Sequence, residues 1–478
     1  MKHALLSIVA SCFLILGNTG CGPTSRGHVS PNLRTPWTPP SAAVLAAPQE
    51  APAYPLEAIP ADTALDLAQI IDIGLTNDPA TARAWLTAKR AAAKRMETFA
   101  LYLPEGSLDI RGGWIDIDAN KTVELKPTYS IVNWGPSTSV GLLLFDFFGR
   151  EASVAAATRA LDAANFSFNQ ELQDTVARVS RQYYDLWSAT ESATAAAASL
   201  EDAEASLEAT DEKFEAGLAP VQDVYRSRAR LEDARFQLSE TRTQIEEARA
   251  SLAASIGLEE IGALQIHPPS LPEDQIFLLE TVNEATAHAL RVKPSLLASY
   301  AEFAAAEEIT RATESLLFPQ IVAAYNADWT WGKYTNNPSQ QQTAFAELRW
   351  NVFDLFRNYY QLEESKMAAQ EAAEAARAAE LETVSSVWSS WYAFRSSIEQ
   401  ARARAAGLSA ADETWKLTKA SYDAGLSDIL DLLTAQSDLA SAREENIRAQ
   451  ANVATGLIDL AHATGTLFPG EPLPETNK

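Results

Sequence analysis

Two aspartates raise the first chemical question. Asp223 and Asp431 follow short glycine turns, FEAGL from Phe214 and YDAGL from Tyr422, and each pair of matching residues lies 208 positions apart. A carboxylate in the first turn of a helix is favoured by the helix dipole, so one reading makes both residues helix-terminal aspartates. Neither has the company that catalysis needs. The five histidines, His3, His28, His267, His288 and His462, form no paired metal-ligand spacing such as H-E-x-x-H. No G-x-S-x-G, phosphate-binding loop or dinucleotide fingerprint follows a strand pattern. The other acidic residues lie on helical faces among lysines and arginines, where solvated charge is the usual reason. The chain reads as a non-enzyme with no metal and no cofactor.

The two cysteines point to a destination. Lys2 and His3 precede an apolar run from Ala4 to Leu16, which is too short for a permanent membrane span and has the build of a secretory signal. The run ends at NTGC, which resembles a bacterial lipoprotein cleavage site, with Cys21 as the lipidated first residue of the mature chain. Asn18 replaces the aliphatic residue usual there, and an ordinary cut near Gly20 is the alternative. Cys12 lies inside the signal, so the mature chain has no disulfide to form. No later stretch offers about 18 uninterrupted apolar residues, so a membrane crossing would need something other than a helix. With 63 acidic against 38 basic residues, the net charge of −25 argues against a nucleic-acid or anionic-lipid surface.

The elements that must position these residues repeat. Residues 22–60 carry nine prolines and read as an extended tether. After them, Asn77-Asp78-Pro79 matches Val292-Lys293-Pro294, and Pro104 matches Pro319, both at a spacing of 215. FDFFGR at Phe145 matches FDLFRN at Phe353, Val176–Trp187 matches Val384–Arg395, and Ile256-Gly257 matches Thr464-Gly465, all at 208. The seven-residue difference falls in one segment, as expected of a loop.

In that segment the hydrophobic period changes to two. Ala344, Ala346, Leu348, Trp350 and Val352 alternate with Phe345, Glu347, Arg349 and Asn351, and residues 321–330 alternate in the same way. Copy one shows the same layout at Ser107–Trp114 and Thr138–Phe145. Each strand is about as long as the ~9–11 residues that cross a bilayer, and Trp114, Trp329, Trp331 and Trp350 suit an aromatic girdle; the competing reading is a soluble core. Elsewhere the pattern is helical. Leu172, Val179, Leu186, Ala193, Leu200 and Leu207 recur every seven residues, which is coiled-coil spacing. The lengths predict that each copy is a long helical hairpin with a strand pair at one end and the glycine turn at the other, roughly 95 Å away.

These features together resemble the outer-membrane efflux factors, the TolC-like channel-tunnels of tripartite pumps, over about residues 62–466. The duplicated NDP/VKP helix start, the proline before each strand pair, FDFFGR/FDLFRN and F/Y-x-A-G-L with a downstream aspartate carry the resemblance. The lipoprotein-like start fits the branch that serves drug-type pumps. The resemblance implies a mainly α protein with a membrane β part. It also implies a homotrimer whose four strands per protomer close a 12-stranded barrel on a helical tunnel built from two repeats. Gly217, Leu218, Ala219, Gly425, Leu426 and Ser427 then occupy the tips where a periplasmic adaptor docks. Asp223 and Asp431 occupy the periplasmic entrance, where a ring of carboxylates would attract cations. Thr434 stands where some members carry a second acid.

The expected partners are two further copies, the adaptor, an inner-membrane pump of RND or ABC type, and outer-membrane lipid. The expected domains are a signal at 1–20, a lipid-anchored tether at 21–61, repeats at 62–270 and 271–466, and a tail at 467–478. An exit duct for small molecules is the expected function. The outer-membrane part of an ATP-driven type I secretion system is the alternative, and a lipid-tethered coiled-coil spacer of the envelope explains less.

Overall fold

The computed structural model describes residues 64–117, 129–258, 265–269, 281–332 and 339–467. They fall in the larger of the chain's two units, Glu57–Lys478. Cys21 and the proline tether lie outside the described residues.

Each repeat starts with a capped short helix. Asp66 accepts from the Gln69 N–H, and the Gln69 side chain accepts from the Asp66 N–H, closing a capping box on α1 (Leu67–Asn77). Thr281 and Glu284 do the same for α5 (Val282–Val292). Proline then opens the next helix in both, α2 (Pro79–Phe99) and α6 (Pro294–Ser315), where a missing N–H costs nothing. A two-residue strand β1 (Ala64–Leu65) pairs in parallel with β4 (Gln265–Ile266).

The strand pairs follow: β2 (Glu105–Ile117) with β3 (Tyr129–Phe145), and β5 (Gln320–Gly332) with β6 (Ser339–Arg349). All three pairings are antiparallel, in the order β2-β3-β5-β6, so β3 and β5 join the two repeats. The pleat sorts most side chains as the period-two pattern predicts, with Thr138, Gln340 and Gln342 as polar members of the apolar face and Phe345 on the polar one. Leu108, Ile110, Trp114, Trp134, Val140, Tyr325 and Leu348 share one face and are all exposed. Ser107, Asp109, Ser137, Ser139, Asn326, Asp328, Gln341 and Thr343 share the other.

From the sheet run the long helices, α3 (Gly149–Glu215, 67 residues) and α7 (Leu355–Asp423, 69 residues), each about 100 Å long. Their returns, α4 (Val221–Ser255) and α8 (Ile429–Thr464), have 35 and 36 residues. Toward the sheet α3 packs on α2 and α6, and toward the turns on α4 and α8. Two matching apolar clusters hold the layout: Ile70, Val179, Tyr183, Leu186, Leu252 and Ile256 in repeat one, and Ala285, Val387, Trp391, Phe394 and Leu460 in repeat two.

The two strand-to-helix joints differ despite matching motifs. In repeat one Phe147 and Phe148 take left-handed backbone, at φ 52° and 67°. The Arg150 guanidinium donates to the Leu143 and Leu144 carbonyls, and the Asp146 carboxylate accepts from the Arg150 N–H. In repeat two Val352–Asp354 form a 3₁₀ turn instead.

Candidate functional site at the paired hairpin turns

The opening motifs prove to be helix endings of one design. In repeat one the Gly217 N–H donates to the Phe214 carbonyl at 2.9 Å and the Leu218 N–H to that of Lys213 at 2.7 Å. In repeat two the Gly425 N–H donates to Tyr422 at 3.0 Å and the Leu426 N–H to Ser421 at 2.8 Å. Both glycines sit at φ +75°, the left-handed conformation that reverses a helix and that a side chain resists. In such endings the residue after glycine normally covers an apolar residue of the last turn. Here that turn offers Lys213 and Ser421, so Leu218 and Leu426 remain 79% and 84% exposed. Two apolar side chains are thus held in water on turns of fixed geometry.

The structure brings the two turns together. The Lys213 ammonium donates to the Tyr422 carbonyl and lies 3.4 Å from the centre of its ring. Just inside, the Thr210 hydroxyl is 3.1 Å from that of Ser227 and 3.3 Å from that of Tyr422, all three groups being buried. Lys213, Thr210 and Ser227 are site residues that the sequence pattern gave no role, whereas Tyr422 opens the YDAGL motif, at the place of Phe214 in repeat one.

Asp223 and Asp431 both lie in the first turn of their helices. Asp223 forms an ion pair with Arg226 at 3.4 Å. The Ser427 hydroxyl donates to the Asp431 carboxylate at 2.9 Å, while Asp428 caps the Asp431 N–H at 2.9 Å. Ser427 is thus a link between turn and helix, and Gly217, Ala219 and Gly425 complete the loops. The helix-terminal reading therefore describes the local role of both aspartates within one chain.

A second concentration of polar groups lies midway along α3. His462 Nε2 is 2.6 Å from the Asp174 carboxylate, and Gln170 donates to the same oxygen at 2.8 Å. The Gln170 carbonyl accepts from the Ser295 N–H, and Gln173 donates to the Gly465 carbonyl. Beside them Arg178 and the Thr175 hydroxyl donate to buried Asp78. Burial works against the charge on Asp174, but hydrogen bonds from His462 and Gln170, with Arg178 nearby, outweigh it and hold its carboxyl below the usual range. Burial and then the Asp174 charge push Glu171 up. Burial pushes Lys293 down against the pull of Glu382 and Asp174. Among the described residues no cluster of histidine, cysteine or carboxylate side chains could hold a metal, and no helix is long and apolar enough to cross a membrane.

A sheet with one exposed apolar face, continued by paired helical hairpins in two copies, defines a class: channel subunits whose wall changes from β to α. The chain belongs to the outer membrane efflux protein family, whose sequence profile matches residues 70–258 and 286–466. It is 27% identical over 426 residues to protein CyaE of Bordetella pertussis, covering 85% of this chain and 86% of that one. Its fold is similar to the CmeC outer membrane channel of Campylobacter jejuni, with a TM-score of 0.75 at 16% identity over 93% of this chain and 96% of that one. It is also similar to the outer membrane protein VceC of Vibrio cholerae, with a TM-score of 0.72 at 15% identity over 84% and 96%. The chain is an outer-membrane efflux protein with the channel-tunnel fold, and neither family nor fold is that of an enzyme.

Proposed function

We propose that three copies form the outer-membrane exit duct of a tripartite efflux pump and conduct small molecules passively from periplasm to exterior. The observation that carries this reading is the pair of sheet edges. Among the described residues β2 and β6 each pair on one side only, while one face of the sheet is mostly apolar. Open edges are not tolerated in lipid. Eight strands from two copies would enclose only side chains, whereas twelve from three leave room for a bore. The height of the sheet supports the same reading. Trp331 stands eleven residues beyond Gln320, about 36 Å along the strand and about 28 Å of height at a tilt of about 40°.

A periplasmic adaptor docks on the turns Gly217–Ala219 and Gly425–Ser427, with Leu218 and Leu426 as its apolar contacts. Asp223 and Asp431 line the entrance, an inner-membrane pump of RND or ABC type supplies the cargo, and a lipid on Cys21 tethers the chain to the membrane. The test pairs two measurements. The purified protein is expected to run as a trimer before boiling and to give discrete conductance steps in a planar bilayer. A cysteine placed at Ser427 is expected to crosslink to the adaptor. A monomer without conductance would overturn the duct, and crosslinks that form along the mid-tunnel helices but fail at Ser427 would overturn the docking.

A further inference from the structure

We propose that the contact between Asp174 and His462 is a pH-dependent latch fastening the long helix of repeat one to the end of the return helix of repeat two. The two residues are 288 positions apart and join α3 to α8 across the repeat boundary. Each hairpin is closed by hydrocarbon, Ala203, Leu231 and Ala234 between α3 and α4 and Val387, Phe394 and Leu460 between α7 and α8, with one exposed ion pair on each, Glu204–Arg235 and Arg404–Glu445. Between α3 and α8, by contrast, ion pairs recur. Asp174–His462, Arg181–Asp459 and Asp202–Arg443 lie at 2.6, 2.7 and 3.3 Å. The three α3 residues share one heptad position, so they form a single charged stripe facing repeat two. Arginine and carboxylate keep their charges near neutral pH; imidazole is the side chain whose charge changes between about pH 5 and 8.

Charged groups gather around this contact. On α3 the charged neighbours are Glu171, Asp174, Arg178 and Arg181, on α8 Asp459, at the head of α2 Asp78 and Arg83, at the head of α6 Lys293, and on α7 Glu382. Arg178 is taken by Asp78 and Arg181 by Asp459. Asp174, Glu171 and Glu382 are left facing Lys293, Arg83 and the imidazole. A charged imidazole donating to a charged carboxylate is the strong form of this contact. It is in force once Asp174 has lost its proton and fades as pH rises through the range in which imidazole loses its own. Mild acid therefore closes the seam between the repeats, and alkali loosens it.

Hydrogen exchange on the full-length protein in detergent tests this. After correction for the intrinsic chemistry, protection in residues 170–178 and 456–464 is expected to fall about two- to five-fold from pH 6 to pH 8, the size of a partly exposed ion pair. Residues 225–240, inside the first hairpin, are expected to stay unchanged. His462→Gln keeps a polar side chain that cannot titrate and is expected to abolish the fall, as is Asp174→Asn, while His288→Gln retains it. No fall in the unmodified protein, or a fall that survives in His462→Gln, overturns the latch. The unmodified protein decides the first outcome alone, so a variant that folds poorly does not shelter the proposal.

Discussion

Lys213, in the last turn of α3, donates to the backbone carbonyl of Tyr422, in the last turn of α7, and lies over its ring. This contact binds one hairpin end to the other across the repeat boundary. Cation–aromatic contact contributes about 0.5–1 kcal/mol at a partly exposed site. Lys213→Ala is therefore expected to let the two turns move apart, raising single-channel conductance in a planar bilayer. A double-mutant cycle with Tyr422→Leu should give a coupling of about that size in chemical unfolding. Unchanged conductance with zero coupling would remove the link from any role at the entrance.

The turns separate backbone from surface. An ideal Cβ on Gly425 meets nothing within 4 Å, so φ +75° is the sole obstacle to a side chain there. Gly425→Ala is expected to cost about 1 kcal/mol. Leu426→Asp, on an 84% exposed side chain, is expected to leave the unfolding midpoint in place and to abolish adaptor crosslinking at Ser427. A large stability loss in Leu426→Asp would mean that the leucine serves the hairpin and not a partner.

Gly257 presents the opposite case. Its φ is +72° and an ideal Cβ would stand 2.6 Å from the Asn77 carbonyl oxygen, which is backbone and has little room to yield. Gly257→Ala adds a clash to the conformational cost and is expected to destabilise by about 2 kcal/mol more than Gly425→Ala. Thermal unfolding of the two variants side by side checks the order.

Neighbouring residues on β3 should respond oppositely. Val140 shares the apolar face with Leu108 and Tyr325, and Ser139 shares the polar face with Ser107, whose hydroxyl is 2.9 Å away. Arginine on a lipid-facing strand position costs about 2–4 kcal/mol near mid-bilayer. Val140→Arg is expected to reduce folding into lipid vesicles by that amount, while Ser139→Arg folds and shifts ion preference toward anions. Equal folding of both variants would exchange or cancel the assigned faces.

Tyr300 supplies a pH prediction. Burial and its hydrogen bond to Glu380, 2.5 Å long, push the phenol up to about 12. The folded chain therefore holds the proton more tightly than the unfolded chain, whose phenol titrates near about 10. The contribution is complete below about pH 10 and is lost as pH rises toward 12. Tyr300→Phe should lose stability at pH 8 relative to the parent, and the difference should shrink between pH 10 and 12. A difference that does not vary with pH would assign the effect to packing alone.

Glycine and proline made the layout legible, because they constrain the backbone by themselves. The glycine turns, the proline helix starts and the 208 spacing placed the hairpins and the sheet at the observed ends. Strand length was less visible. The pattern starts the second strand at Thr138, whereas β3 begins at Tyr129, because Trp134-Gly135-Pro136 reads as a turn. Pro136 sits where the β3–β5 ladder skips from Trp134↔Trp331 to Ser137↔Asp328, and Gly135 lets the Trp329 carbonyl come close. The short β1–β4 pair carries too few residues to show a period. Lys213–Tyr422 and Asp174–His462 were hidden for another reason. Each joins residues from different repeats with no local motif, and only three-dimensional packing selects the partner.

The wall is continuous in one ply and interrupted in the other. Near Asn77 and Gly257 in repeat one, and near Lys293 and Gly465 in repeat two, short helices end and begin while α3 and α7 run past without a break. Force applied at the turns can reach the sheet along covalently unbroken helix by those two rods alone; the segmented helices meet it only through side-chain friction. A pull at one end would then strain the two pillars and leave the segmented ply free to slip at its joints.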